Sequence, residues 1–297
     1  MTADSSSPAP PPSTVPKPIS NLSAVADGYD TFIVDLWGVV HNGVQLFPGV
    51  IDCLRALMAG GKKVCLLTNA PRRVQGNIDK LTNMGLPREC YTALVSSGEA
   101  AHHALIDRPD DFHKSLGQRC FHLGPPRDRN VHEGTGLEIV ATPEEASFIL
   151  NTGIDEPDEP LSLYLPILQR AYAAGLPMVC ANPDLVVLSG EHRAICAGTM
   201  AAAYEEMGGA VAYHGKPHGA IYHFALKSVD HTDGAPVLCI GDGFHTDLTG
   251  AARAGFDALF VTSGIHAVEL DGTDASMVAL IERYQVTPRY AIDQLVW

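Results

Sequence analysis

No apolar run of 18 residues occurs in the 297-residue chain, and the mean hydropathy is only +0.06. An ordinary transmembrane helix is therefore excluded, and no membrane partner is expected. Cations are scarce: 20 Lys and Arg face 34 Asp and Glu, for a formal charge of −14. Without a basic stripe, nucleic acid is not an expected partner either. An anionic substrate would need a local cation, because the overall field repels it. Cys-x-x-Cys spacing is also missing; the seven cysteines are scattered, some inside apolar runs, as at Cys65 and Cys239. Such usage reads as reduced thiols in a cytoplasmic protein. Finally, "MTADSSSPAPPPSTVPKPIS" has no apolar core of the kind a signal peptide needs. Residues 1–27 read instead as a disordered, partly polyproline tail.

What the chain does have is 46% apolar residues, arranged as short runs alternating with amphipathic stretches. "FIVDL" (32–36), "KKVCLLTN" (62–69), "TALVSS" (92–97), "PVLCIGD" (236–242) and "DALFVTSG" (257–264) read as buried strands. "VIDCLRALMAGG" (50–61) and "RRVQGNIDKLTNMG" (72–85) read as helices closed by glycine. This alternation predicts an α/β fold, a doubly wound parallel sheet with helices on both faces. Between about 111 and 208, proline and acidic residues break the pattern, yet "RCFHLG", "ASFILNTG" and "PMVCANPD" supply further strands. The expected organisation is a core of residues 28–110 and 209–297, with a second α/β unit, residues 111–208, inserted.

Four segments end apolar runs with residues able to share a site at the carboxyl edge of one sheet. Asp35 ends the first strand and Thr68-Asn69 the second; "HGKPHG" supplies Lys216; "CIGDGFHTDLTGA" supplies Asp242 and Asp247. Carboxylates of this number suit a hard divalent cation such as Mg²⁺. With Lys216 that ion would neutralise a phosphoryl group enough for another carboxylate to approach it. Each residue alone also has a structural explanation as a helix cap or turn. His41, His214, His218 and His245 match no closed zinc ligand set.

"DLWGVVHNG", "LLTNAPRR", "GKP" and "GDGFHTDLTGAARAG" resemble, in order, the four motifs of the haloacid dehalogenase (HAD) superfamily. The resemblance is to its NagD-like and chronophin-like branch, which carries a large α/β cap between the second and third motifs. It implies a Rossmann-like core, a mobile cap and Mg²⁺-dependent hydrolysis of a small phosphorylated metabolite through an aspartyl-phosphate. Asp35 would then be the nucleophile, Thr68 a partner of the phosphoryl oxygens, and Lys216 a partner of both. Asp35, the Trp37 carbonyl and Asp242 would hold the metal, with Asp247 in support. Asn69, Arg72, His41 and, in the cap's "ANPD", Asn182 and Asp184 are candidates for substrate contact. Related capped enzymes associate through the cap, so a homodimer is compatible with the resemblance.

One residue departs from the pattern. Phosphatases of this superfamily carry an aspartate two residues after the nucleophile, where it protonates the leaving oxygen and later activates water. Trp37 stands there instead. Indole has a weak N–H donor and no accessible pKa, so it cannot do acid/base work. Three readings follow: a phosphatase with another acid, His41 or a cap residue, or with good leaving groups; dehalogenase or phosphonatase chemistry; or a binding and sensing protein. The retained Asp242 and Asp247 disfavour metal-free dehalogenation, and Lys114 is the cap's sole candidate for a phosphonatase lysine.

Overall fold

The computed structural model describes residues 15–156, 158–189 and 192–297. Its main sheet has seven parallel strands in the order β1-β14-β13-β12-β2-β3-β4. These are β1 (Lys17–Pro18), β2 (Thr31–Asp35), β3 (Lys63–Thr68), β4 (Ala93–Ser96), β12 (Val237–Gly241), β13 (Asp257–Val261) and β14 (Tyr290–Ile292). Every residue of β2 and of β12 is buried, as expected of central strands covered on both faces. One face carries a cluster around Phe32, Leu54, Leu57 and Leu66; the other is built around Cys65, Tyr222, Phe244 and Phe260. Successive strands run one way from β2 to β4 and the other way from β12 to β14. The chain therefore switches direction between β2 and β12, where open α/β sheets leave a crevice at the carboxyl ends.

Helices α1 (Ser23–Ala26), α2 (Val50–Ala59), α3 (Val74–Asn83) and α4 (Ser97–Asp107) follow the first strands. Ser96 caps α4 by accepting the Glu99 N–H, and Asp110 caps α5 (Asp111–Ser115) by accepting that of His113. Helices α8 (Gly219–Ser228), α9 (Thr249–Ala254) and α10 (Asp274–Tyr284) complete the core, with a π-helical turn, Phe244–Leu248, leading into α9.

The inserted unit has its own parallel sheet, in the order β11-β8-β7-β5-β6. It comprises β5 (Arg119–Leu123), β6 (Glu138–Val140), β7 (Phe148–Asn151), β8 (Met178–Cys180) and β11 (Val211–Tyr213). Helices α6 (Leu165–Ala173) and α7 (Ala197–Glu206) pack on it, and β9 (Val186–Ser189) pairs antiparallel with β10 (His192–Ile195). β11 carries this sheet past residue 208, because the glycine pair at 208–209 ends α7 and not the insert. Ala101 and Leu105 of α4 cluster with Cys120, Phe148 and Leu150, so a core helix is also the floor of the cap.

The tail expectation needs correction. Residues 1–14 lie outside the described residues, but 15–27 are folded onto the core. Lys17 and Ile19 donate N–H bonds of 3.1 and 2.9 Å to Arg289 and Ala291 of the β14 region. Pro18, between them, faces the side where an edge strand needs no donor. Leu22 is fully buried and its N–H reaches the Val296 carbonyl at 2.8 Å. A two-residue strand anchored by one leucine leaves no periodicity in a proline-rich stretch.

Candidate active site

Asp35 ends β2, and Asp242 follows the neighbouring β12, so the parallel register alone brings their carboxylates to the crevice. Asp247 joins them from the π-helical turn. One oxygen from each lies within 4.8 Å of the others, and the three residues are 8%, 5% and 4% exposed. Among the described residues this is the one group suited to a metal ion. Lys216, equally buried, bonds Asp35 Oδ1 through its Nζ and donates to Asp247 Oδ1 at 2.7 Å. Asp247 Oδ2 accepts the Gly243 N–H at 3.1 Å, and Asp242 Oδ2 accepts that of Ile265 at 2.8 Å. Gly38, at φ +80°, lies so close that a Cβ there would overlap the Asp242 carboxylate.

Burial, then the Asp247 charge, pushes the Asp35 carboxyl well above the usual range against the pull of Lys216. The same two causes lift Asp242 to about 7. Burial works against the Lys216 ammonium, yet Asp247 and Asp35 together hold its pKa above the ordinary value. Three carboxylates and one ammonium leave an uncompensated negative charge in a buried place, and that imbalance is what a divalent cation would relieve. The donor set fits such an ion: hard oxygens, three of them carboxylates.

Asn69 is fully committed elsewhere. Its Nδ2 donates to Asp184 Oδ1 at 2.8 Å and to the Lys216 carbonyl at 3.0 Å, and its Oδ1 accepts the Lys216 N–H at 2.8 Å. The Ser97 hydroxyl adds a fourth bond at 3.2 Å. Expected to touch substrate, Asn69 instead fixes the Lys216 backbone and ties core to cap. Asn182 likewise makes a turn, its Oδ1 accepting the Asp184 N–H at 3.0 Å. Asp184 bonds Asn69 and feels the charges of Lys216 and Asp247, and burial raises its pKa. Thr68 ends β3, and its Oγ1 accepts the Ala70 N–H at 3.3 Å.

The mouth is looser. Trp37 is 42% exposed; its ring rests against Gly43 and edge-on to His41, with centroids 5.6 Å apart. His41 is buried, its Nδ1 accepts the Gly43 N–H at 2.9 Å, and burial, then Lys80, lowers its pKa to about 4. A ring that stays neutral near pH 7 is a poor replacement acid. Arg72 Nε faces the buried Asp128 of the cap at 3.4 Å, so its guanidinium is partly engaged across the core–cap junction. Arg73 is bidentate to Glu99 at 2.7 and 2.9 Å, a structural pair. Lys114 has a side chain 63% exposed and lies 3.5 Å from Asp111, unlike the buried amine that Schiff-base chemistry requires.

Sequence reasoning missed two features. Lys80 of α3 holds its Nζ 5.3 Å from the Trp37 ring centroid, outside any motif. Behind Lys216, His214 Nε2 lies 3.0 Å from His113 Nε2, and His113 Nδ1 is 2.7 Å from Asp110. No pattern joins 113 to 214 until the cap is folded.

No helix among the described residues is long and apolar enough to cross a membrane. Comparison with known proteins adds the following. A family model described as haloacid dehalogenase-like hydrolase matches residues 32–138, and one described as HAD-hydrolase-like matches residues 213–296. The chain is 23% identical over 244 residues to the 5'-nucleotidase YutF of Bacillus subtilis, covering 80% of this chain and 88% of that one. It shares its fold with a glycerol phosphate phosphatase from Mycobacterium tuberculosis solved with magnesium (24% identity, TM-score 0.67, 90% and 75% covered). A hydrolase of the haloacid dehalogenase-like family from Brucella suis matches at 33% identity and a TM-score of 0.80, over 94% of this chain and all of that one. With its ordered motifs, its Rossmann-like core and its inserted α/β cap, the chain belongs to the haloacid dehalogenase-like hydrolases.

Proposed function

We propose that the chain is a Mg²⁺-dependent phosphatase that moves a phosphoryl group from a small phosphorylated metabolite to Asp35 and then to water. The observation carrying this reading is the cluster of Asp35, Asp242 and Asp247 around Lys216, buried at the switch point of the sheet. The names of the relatives, a 5'-nucleotidase and a glycerol phosphate phosphatase, support the substrate class. Asp35, Asp242, the Trp37 carbonyl and Asp247 would hold the ion, which supplies charge neutralisation at the phosphoryl oxygens when bound. Lys216 keeps Asp35 oriented through its bond to Oδ1 and favours its ionised form against the opposing pull of burial and Asp247. An Asp35 oxygen bonds to phosphorus as the bond to the leaving oxygen breaks; water then displaces phosphate and restores the carboxylate. Asn69 holds Lys216 in register and, through its bond to Asp184, ties the cap to the core.

Trp37 favours one competing reading, a protein that binds a phosphorylated ligand without turning it over. Phosphate release from a panel of phosphoesters, with and without Mg²⁺, separates the two. The expected result is Mg²⁺-dependent release that Asp35→Asn lowers by about 10⁴-fold or more, as loss of a covalent nucleophile does. A wild-type chain that binds phosphoesters and releases nothing would move it to the binding class.

A further inference from the structure

Lys80 is a cation that no motif supplies, and it sits on the residue that replaced the missing acid. Trp37 stands two residues after Asp35, the motif position that the family resemblance gives to the leaving-group acid. Lys80 is thus the cation in contact with the residue that holds the acid's position. The Lys80 ammonium is 5.3 Å from the ring centroid, a cation–π distance. Gly43 backs the ring, where a Cβ would overlap it, and His41 lies edge-on to it. Among the described residues the Lys80 ammonium has no hydrogen bond or ion pair, which leaves its charge available. Arg72, the neighbouring cation, already faces Asp128. On a chain of net charge −14, a free ammonium at the mouth is a local exception.

We propose that Lys80, held over the Trp37 indole, does the leaving-group work of this enzyme as a fixed positive charge in place of a proton donor. That restricts the substrate to phosphoryl esters whose leaving oxygen departs as a stable anion, the chemistry shared by aryl and acyl phosphates. The inference rests on the phosphatase reading above. In the first step an Asp35 oxygen bonds to phosphorus and the bond from phosphorus to the leaving oxygen breaks. The electron pair stays on that oxygen, which leaves as a phenolate or carboxylate beside Lys80 and takes no proton from the enzyme. In the second step a water oxygen bonds to phosphorus, the bond to Asp35 breaks with its pair restoring the carboxylate, and the proton of water passes to phosphate or solvent.

The absent carboxylate would have been the base of that second step as well. A good leaving group cures the first step only, because it has departed before the second begins. The second step is then slow and the same for every substrate. So kcat/KM follows the leaving group, whereas kcat does not.

The test uses the full chain with Mg²⁺, a series of aryl phosphates from phenyl to 4-nitrophenyl phosphate, acetyl phosphate and glycerol phosphate. The expected result is a kcat/KM that rises by about 100-fold or more across the aryl series, as it does where acid catalysis worth about 10²–10⁴ is missing. A common kcat and a burst of 4-nitrophenol should accompany it. Acetyl phosphate should be a fast substrate and glycerol phosphate the slowest; slow turnover of acetyl phosphate overturns the place of acyl phosphates in the class. Lys80→Met should lower kcat/KM for aryl phosphates by about 10–100-fold, less than loss of a buried oxyanion donor, with kcat unchanged; Lys80→Arg should restore most of it. Trp37→Asp should flatten the dependence on the leaving group. A flat wild-type series, or an unchanged kcat/KM in Lys80→Met, overturns the role of Lys80. A kcat that tracks the leaving group, with no burst, overturns the slow second step. No phosphate from any of these substrates would overturn the phosphatase reading itself, and is told apart because then no series exists to be flat.

Discussion

Lys216 and Lys80 are both lysines at one site, yet the fold treats them differently. Lys216 is 4% exposed, and its ammonium is shared by carboxylates 181 and 31 positions away in sequence. Its backbone is held on both sides by Asn69. Lys80 is exposed and rests on one indole, and that indole rests on a glycine. The inner wall is thus a closed network in which each charge depends on the others, so its parts cannot change singly. The mouth is a stack of local contacts that folding does not require, which leaves it open to alteration without loss of the core.

Four substitutions bear on this contrast, the largest effect first. Lys216→Met removes the one cation from two buried carboxylates, and the metal-free protein should lose about 3–5 kcal/mol in denaturant unfolding. A loss below about 1 kcal/mol would mean that the inner wall is no more coupled than the mouth. Asp242→Asn should weaken Mg²⁺ binding in calorimetry by more than the roughly 10–100-fold that removal of an outer-shell partner costs; unchanged binding would remove Asp242 from the ligand set.

His214 tests the wall from behind. Burial, then His113, pulls its pKa down to about 3, below the ordinary value of 6.5. The folded state therefore stays neutral where the unfolded chain takes up a proton. The sign follows: stability is intact above pH 6.5 and declines as pH falls toward 3. By pH 5 the loss should be about 2 kcal/mol, and His214→Gln should make the decline shallower in thermal melts. Parallel curves for the two proteins would show that His214 is not the group responsible. The smallest effect is expected at the mouth, where Lys80→Met should shift stability by no more than about 0.5 kcal/mol. A loss of several kcal/mol there would erase the contrast.

The strands were readable because central parallel strands are apolar throughout: "FIVDL", "KKVCLLTN" and "PVLCIGD" became β2, β3 and β12 within a residue or two. The carboxylates were readable for a related reason, since each ends such a strand or begins the next turn. What escaped depends on distance in sequence or on lone residues. β1 holds its place through two N–H bonds to the far end of the chain. Asn69 looked like a ligand because its three partners, Asp184, Lys216 and Ser97, lie on three segments that only the folded cap and core assemble. Arg72 and Arg73 are adjacent in sequence, and only the pairing of Arg73 with Glu99 distinguishes them. Lys80 is one lysine on an amphipathic helix, and nothing in its neighbours marks it.

The strand order has a consequence for how the protein is made. β2, which carries Asp35, pairs with β3 on one side and with β12 on the other. On a ribosome β3 arrives early, but β12 follows only after residues 119–213, the whole of the small sheet, have been synthesised. The nascent chain therefore builds its cap while the central strand of its core still has one open edge. Asp242 arrives with the strand that closes that edge. As a hypothesis, a chain arrested before residue 237 should be able to fold its cap yet hold no divalent ion. Closure of the sheet and assembly of the carboxylates would then be one event, and tight ion binding by the arrested chain would show them to be two.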